Sequence, residues 1–202
     1  MAKAKAAQIF IKGFWEENPV SRQILGICSA LAVTNLMTNT LIMGVSLIFV
    51  TAMSNVTVSA LRNVTPARIR MMVQVLIIAC YVIVVDIVLK AYLPDISRAL
   101  GPYVGLIITN CIIMGRCEGF ARGNPVWPSL VDGIACGAGY AAVLLLVAFI
   151  RELLGFGSLF GVPVLPADWT RWTIMVMAPG AFFVLGAIIW LVSNLGPKPK
   201  KA

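Results

Sequence analysis

Two fragments decide how the chain is built: Leu25–Asn35 reads LGICSALAVTN, and Leu106–Gly115 reads LIITNCIIMG. Both are apolar, yet both stop well short of the roughly 20 residues that a spanning helix needs. The apolar run Ile24–Val33 ends in Thr34, Asn35, Thr38 and Asn39. The run Val104–Gly115 is interrupted by Thr109 and Asn110 and is closed by Arg116. Irregular backbone at membrane depth persists only where protein or a cavity covers it. Each fragment also places one cysteine, Cys28 or Cys111, among small residues, Thr and Asn.

Around these fragments lie four apolar segments of spanning length: Thr40–Leu61, Ile69–Leu93, Ser129–Leu154 and Ile174–Leu195. The order is short, long, long, then short, long, long. Three crossings per half invert the second half relative to the first, the plan of many transporters whose broken helices meet near the bilayer midplane. The expectation is an all-α integral membrane protein with six transmembrane helices. They form two inverted three-helix repeats, about residues 22–93 and 99–195, and the first and fourth segments are short and broken. Residues 1–21 precede this single membrane domain of residues 22–195, and residues 196–202 form a basic tail.

Composition agrees. Of 202 residues, 60% are hydrophobic and 12% charged, against about 25% charged in a soluble domain. The opening MAKAKAAQIFIKGFWEENPV lacks the apolar core of a cleavable signal peptide, so the spanning segments themselves are expected to direct insertion. A net charge of +8 is scattered between apolar runs and reads as topology signal, not as a nucleic-acid face. With six crossings, one side holds Lys3, Lys5, Lys12, Arg22, Arg62, Arg68, Arg70, Arg116, Arg122, Lys198, Lys200 and Lys201. The other holds Lys90, Arg98, Arg151 and Arg171. Twelve against four predicts both termini in the cytoplasm. Trp127, Trp169 and Trp172 fall at segment ends, where an indole keeps its N–H wet and its rings in lipid.

Histidine is absent, which excludes His-ligated haem, His-bound zinc and His-based catalysis within this chain. Redox chemistry is thereby narrowed to thiolate ligation or none. The five cysteines are odd in number and lie mostly inside apolar segments, against a disulfide framework. Cys80 and Cys136 read as small hydrophobes, Cys136 within a Gly/Ala run suited to close helix packing. Cys28 and Cys111 differ because exposed backbone N–H groups of broken helices face a bound anion favourably. A thiolate-ligated iron–sulfur cluster takes four ligands. The remaining two would come from Cys117 or Cys136, or from a homologous partner related by a pseudo-twofold axis. Inert packing of both cysteines remains the competing reading.

The other polar residues have structural readings. Asp86 is placed to pair with Lys90, Glu152 adjoins Arg151, and Asp132 is expected as an N-terminal helix acid. Gln74, Asn110 and Asn35 are candidates for hydrogen bonds between helices.

The stretches LGICSALAVT, VVDIVLKAY, GLIITNCIIMGRCEGFA, DGIACGAGY and FIRELLGFGSLFGVPVL resemble the D-type subunits of Na⁺-translocating NADH:quinone oxidoreductases. The resemblance runs from about Asn18 to Leu195 and is most specific in ITNCIIMGR and RELLGFGSLFG. The paralogous E-type subunit of the Rnf ferredoxin:NAD⁺ complex shares ITNC and RE. LFGVPVL and the Lys-rich tail look more like the quinone-reductase member. The resemblance implies a flavin-free subunit of a bacterial inner-membrane, Na⁺-transporting NADH:ubiquinone reductase, with no complete active site in this chain alone. It implies that Cys28 and Cys111, with two cysteines of the homologous E-type subunit, hold a 2Fe–2S cluster. Thr34, Asn110 and Gly115 would shape the half-helix ends. Electrons would pass from the subunit carrying FAD and its own 2Fe–2S centre towards subunits carrying FMN and riboflavin, coupled to Na⁺ export. Cys117 departs from the alanine expected there, and the Ser-Gly-Ala-Thr flavin-attachment motif is absent.

Two readings of other classes stand beside this one. An ion channel or transporter on the same repeat would place a charge near the middle of a broken helix, and neither short segment carries one. A purely structural membrane subunit would hold inert cysteines and show no 2Fe–2S signal with its partner.

Overall fold

The structure, a computed structural model, describes residues 20, 25–66, 68–160, 162–163 and 172–195. The terminal segments predicted at 1–21 and 196–202, and Trp169 and Arg171, lie wholly or almost wholly outside them. In chain order the helices are α1 (Ile27–Val33), α2 (Met37–Leu61), α3 (Arg70–Tyr92), α4 (Pro94–Ile108) and α5 (Cys111–Arg116). α5 runs on as a π-helical turn over Cys117–Ala121. There follow α6 (Val126–Gly155), a two-stranded ribbon of β1 (Ser158–Leu159) and β2 (Val162–Pro163), α7 (Thr173–Val176) and α8 (Ala178–Leu195). The ribbon pairs Ser158 with Pro163 and Leu159 with Val162, a small exception to an otherwise helical chain.

Among the described residues, four stretches are long and apolar enough to cross a bilayer: Met37–Leu61, Arg70–Tyr92, Tyr103–Ala121 and Val126–Gly155; Pro179–Val192 is apolar but shorter. The protein is therefore a helical membrane protein with several spans. α2 and α6 share the most extensive helix contact. Small residues allow it: a Cβ on Gly133 would lie 2.8 Å from Ala52 Cα, and one on Gly137 would lie 3.0 Å from Ile48 Cα. In lipid no hydrophobic drive separates helix from solvent, so such close backbone approach supplies dispersion contact instead. Cys136 is fully buried in this seam, as its Gly/Ala surroundings suggested.

α3 shows the opposite economy. It buries only Gln74, Ile78 and Val82, a single stripe at four-residue spacing, while Met72, Leu76, Ile83 and Ile87 are exposed. Such a helix belongs against lipid or another protein, not water.

Three expectations change. The chain does not end its fourth segment at Arg116. The helix continues through the π turn to Ala121, because Arg116 is buried and paired with Asp132, so its charge need not reach water. Asp132 is not a first-turn acid. α6 starts earlier, at Val126, and Pro128 sits in its first turn, where no N–H is required. The expected continuous segment Ile174–Leu195 is broken. Met177 is extended at φ −74° and ψ 157°, and Pro179 cannot donate the N–H that would continue α7 into α8.

Candidate functional site

The break at Thr109–Asn110 falls where the sequence interrupts its apolar run. Asn110 leaves the helical region at φ −67° and ψ 117°, and its Oδ1 accepts from Ile112 N–H at 3.0 Å. It is thus an N-cap that lets α5 restart with Cys111 as its first residue. α1 starts after Gly26, whose φ of 78° is left-handed, and Cys28 is its second residue. Gly26 is required twice over, since a Cβ there would also meet Ile112 Cδ1 at 2.5 Å.

These two helix starts meet. Gly26 N–H donates to Cys111 Sγ at 3.0 Å, so the chain two residues before Cys28 touches the other cysteine directly. Asn110 Nδ2 donates to Ser29 Oγ at 3.2 Å, joining the second turn to the first. Tyr140 of α6, fully buried, donates to the Gly26 carbonyl at 3.0 Å and is hydrogen-bonded to the Ser29 hydroxyl. Ser29 Oγ also reaches the Gly26 carbonyl at 3.1 Å. The Cys28 and Cys111 thiols are both exposed at the surface of the chain.

The remaining cysteines lie elsewhere. Cys117 is buried and its thiol donates to Asn55 Oδ1 at 3.3 Å, while Cys136 is buried at 3.9 Å from Asp132 Oδ1. Among the described residues no group of three or more Cys, His, Asp or Glu gathers to hold a metal. Completion of four thiolates by Cys117 or Cys136 of the same chain therefore finds no support. Cys28 and Cys111 are exposed thiols on adjoining helix starts, with a backbone N–H donating to the sulfur of Cys111. That donor set fits a cluster shared between two proteins, because a backbone N–H at sulfur stabilises the anionic thiolate form.

Of the residues expected to shape the half-helix ends, Asn110 does so as described. Thr34 closes α1: its hydroxyl donates to Ala30 O at 2.6 Å and accepts from Arg151 Nη1 at 2.5 Å. Gly115 is exposed, and a Cβ there would sit at an ordinary 3.7 Å from Leu25. It is not demanded by the junction.

Sequence reading missed Gly26, Ser29 and Tyr140, and it named Arg151 without its role at a helix break. Tyr140 carried a usable signal, a lone phenol in a Gly/Ala-rich spanning segment, which when buried must find a polar partner. Arg151 is buried and clamps the third break. Its Nε donates to Met175 O and its Nη2 to Val176 O, each at 3.0 Å. Its neighbour Glu152 accepts from Met37 N–H, the start of α2, at 2.7 Å. The adjacent pair thus secures two helix ends. Asp86 and Lys90 pair as expected at 2.6 Å, and Gln74 and Asn110 bond between helices. Asn35 Oδ1 is buried without a partner among the described residues.

Comparison with known proteins gives concordant results. A family model described as "Rnf-Nqr subunit, membrane protein" matches residues 6–189. The chain is 48% identical over 200 residues to the D subunit of the Na(+)-translocating NADH-quinone reductase of Photobacterium profundum, covering 96% of this chain and 95% of that relative.

Proposed function

Since the chain belongs to the Rnf-Nqr family of membrane subunits, we propose that it is the D-type subunit of a Na⁺-translocating NADH:quinone reductase and that Cys28 and Cys111 supply two of the four thiolates of an intramembrane 2Fe–2S cluster. The observation that carries this reading is the meeting of the two cysteine-bearing helix starts, with Gly26 N–H 3.0 Å from Cys111 Sγ. Sequence neighbourhood does not require residues 85 positions apart to touch. The exposure of both thiols supports a partner that brings two more.

A 2Fe–2S centre accepts and releases one electron, and such a stepping stone shortens the jumps across an insulating core about 30 Å thick. The chain's own residues do the positioning. Asn110 starts α5 at the cysteine, Gly26 permits the turn before α1, and Tyr140 with Ser29 locks the two starts together from α6. The partner is a homologous subunit of E type, and the flavin-bearing subunits lie to either side.

The fold supports two inverted halves. α1 is followed by α2 and α3, and the broken α4/α5 is followed by α6 and the broken α7/α8. Arg62, Arg68, Arg70 and Arg122 fall at the ends of α2 and α3 and just after the π turn, the side on which both termini are placed in the cytoplasm.

The test replaces Cys28 or Cys111 by Ser in the complex. Each variant should insert and assemble, lose iron and the 2Fe–2S EPR signal of the membrane pair, and lose NADH-driven quinone reduction. Retention of iron together with reduction in both variants refutes ligation. Cys80→Ser, on the exposed face of α3, should leave all three measurements unchanged.

A further inference from the structure

Where α2 ends and α3 begins, Arg62, Arg70 and Arg122 line one shallow surface cleft whose walls include Val73, Gln74 and Ile77. Arginines at segment ends are expected as topology signals, and dispersed ones need no further account. These three converge on one concavity. They are also poorly neutralised: Arg70 and Arg122 both donate to the single carboxylate of Glu118, at 3.0 and 2.9 Å. Arg62 has no hydrogen-bond or ion-pair partner among the described residues.

Gln74 is only 1% exposed. Its Nε2 donates to Glu118 Oε2 at 2.8 Å and so braces from the interior the carboxylate that Arg70 and Arg122 share. The apolar walls continue onto the outer face of α3, where Met72 and Leu76 are exposed.

We propose that this cleft binds an anionic glycerophospholipid at the membrane interface. The phosphodiester sits against Arg62, Arg70 and Arg122, and the acyl chains lie along α3. Basic pockets between spanning helices take such headgroups by pairing charge with adjacent hydrocarbon. A free phosphate would satisfy the arginines and leave the apolar wall bare, so the lipid is the better occupant.

The experiment uses the whole detergent-purified complex, returned to nanodiscs of phosphatidylglycerol with phosphatidylcholine, then re-extracted and weighed by native mass spectrometry. The wild type should retain phosphatidylglycerol in preference to phosphatidylcholine, and millimolar inorganic phosphate should not displace it. Arg62→Gln should lower the retained fraction roughly five-fold, the weight of one basic residue near an anionic surface. Arg68→Gln removes one charge from the same loop but not from the cleft, and should leave retention unchanged. Equal loss in the Arg62 and Arg68 variants, displacement by phosphate, or no retained lipid with Arg62 cross-linked to another subunit each overturns the proposal. Iron content is read in parallel and should not respond to any of these changes.

Discussion

Gly26 illustrates how one residue can carry two constraints. Its φ of 78° excludes side chains with little strain, and the space a Cβ needs is taken by Ile112 and Tyr140. Gly26→Ala should therefore unseat the α1 start from α5. The expected readout is faster maleimide labelling of Cys28 and Cys111 in detergent, with insertion into the membrane unaffected. Tyr140→Phe removes only the hydroxyl. It should cost about 1 kcal/mol, the net worth of a hydrogen bond, seen as a lower unfolding midpoint, and should speed the same labelling without abolishing assembly. A Tyr140→Phe protein with unchanged labelling would remove the phenol from the junction. Cys28 and Cys111 stood out in the sequence because each lies in a short apolar run broken by Thr and Asn. Tyr140, Ser29 and Gly26 did not, because their bonds span 111 to 114 positions or depend on a backbone angle.

At the scale of the element, breaks matter as much as helices. The break before α5 announces itself through Thr109 and Asn110, and the one after α1 through Thr34 and Asn35. The break at Met177 is nearly silent in sequence, since its only local mark is Pro179. Its stability comes from Arg151, which faces carbonyls that no helix can satisfy. Arg151→Met should leave those carbonyls unpaired and destabilise the protein by more than a surface substitution would. Arg151→Lys should rescue little, because a single ammonium lacks the planar fork that reaches Thr34 and Met175 together. Both effects are measurable as detergent thermostability. The Arg116–Asp132 pair makes a sharper test. Asp132→Leu strands a buried guanidinium and should cost about 3–5 kcal/mol, whereas the double change with Arg116→Met should recover most of that loss. If the double variant is no better than the single one, the pair is not what holds the π turn against α6. Helix packing gives a complementary contrast. Gly133→Leu drives a side chain into the α2 backbone and should cost about 1–3 kcal/mol or more, while Gly119→Leu enters open space and should be tolerated.

Over the whole molecule, the exposed faces are as informative as the core. α3 and α8 present apolar residues outward, and Phe183 and Trp190 are 72% and 67% exposed. These surfaces suit lipid and neighbouring subunits, as a member of a multisubunit family requires. The orientation reading predicts that a green fluorescent protein fused after Ala202 will fluoresce and that alkaline phosphatase at the same place will be inactive. The reverse pattern would invert the assignment of sides and place the arginine cleft on the outer leaflet.

Residue chemistry alone was enough to determine that this chain lives in a bilayer, that two of its apolar segments are short and broken, and that each of these carries a cysteine. Those properties are local: hydropathy over a span, and polar residues within an apolar run. Tertiary structure alone decided that the two cysteine-bearing starts touch, that Asp132 neutralises Arg116 inside the bundle, and that Arg151 holds a third break open. Each of these depends on distant backbone brought to within hydrogen-bond reach by the close crossing of α2 and α6, and such proximity leaves no trace in the order of residues.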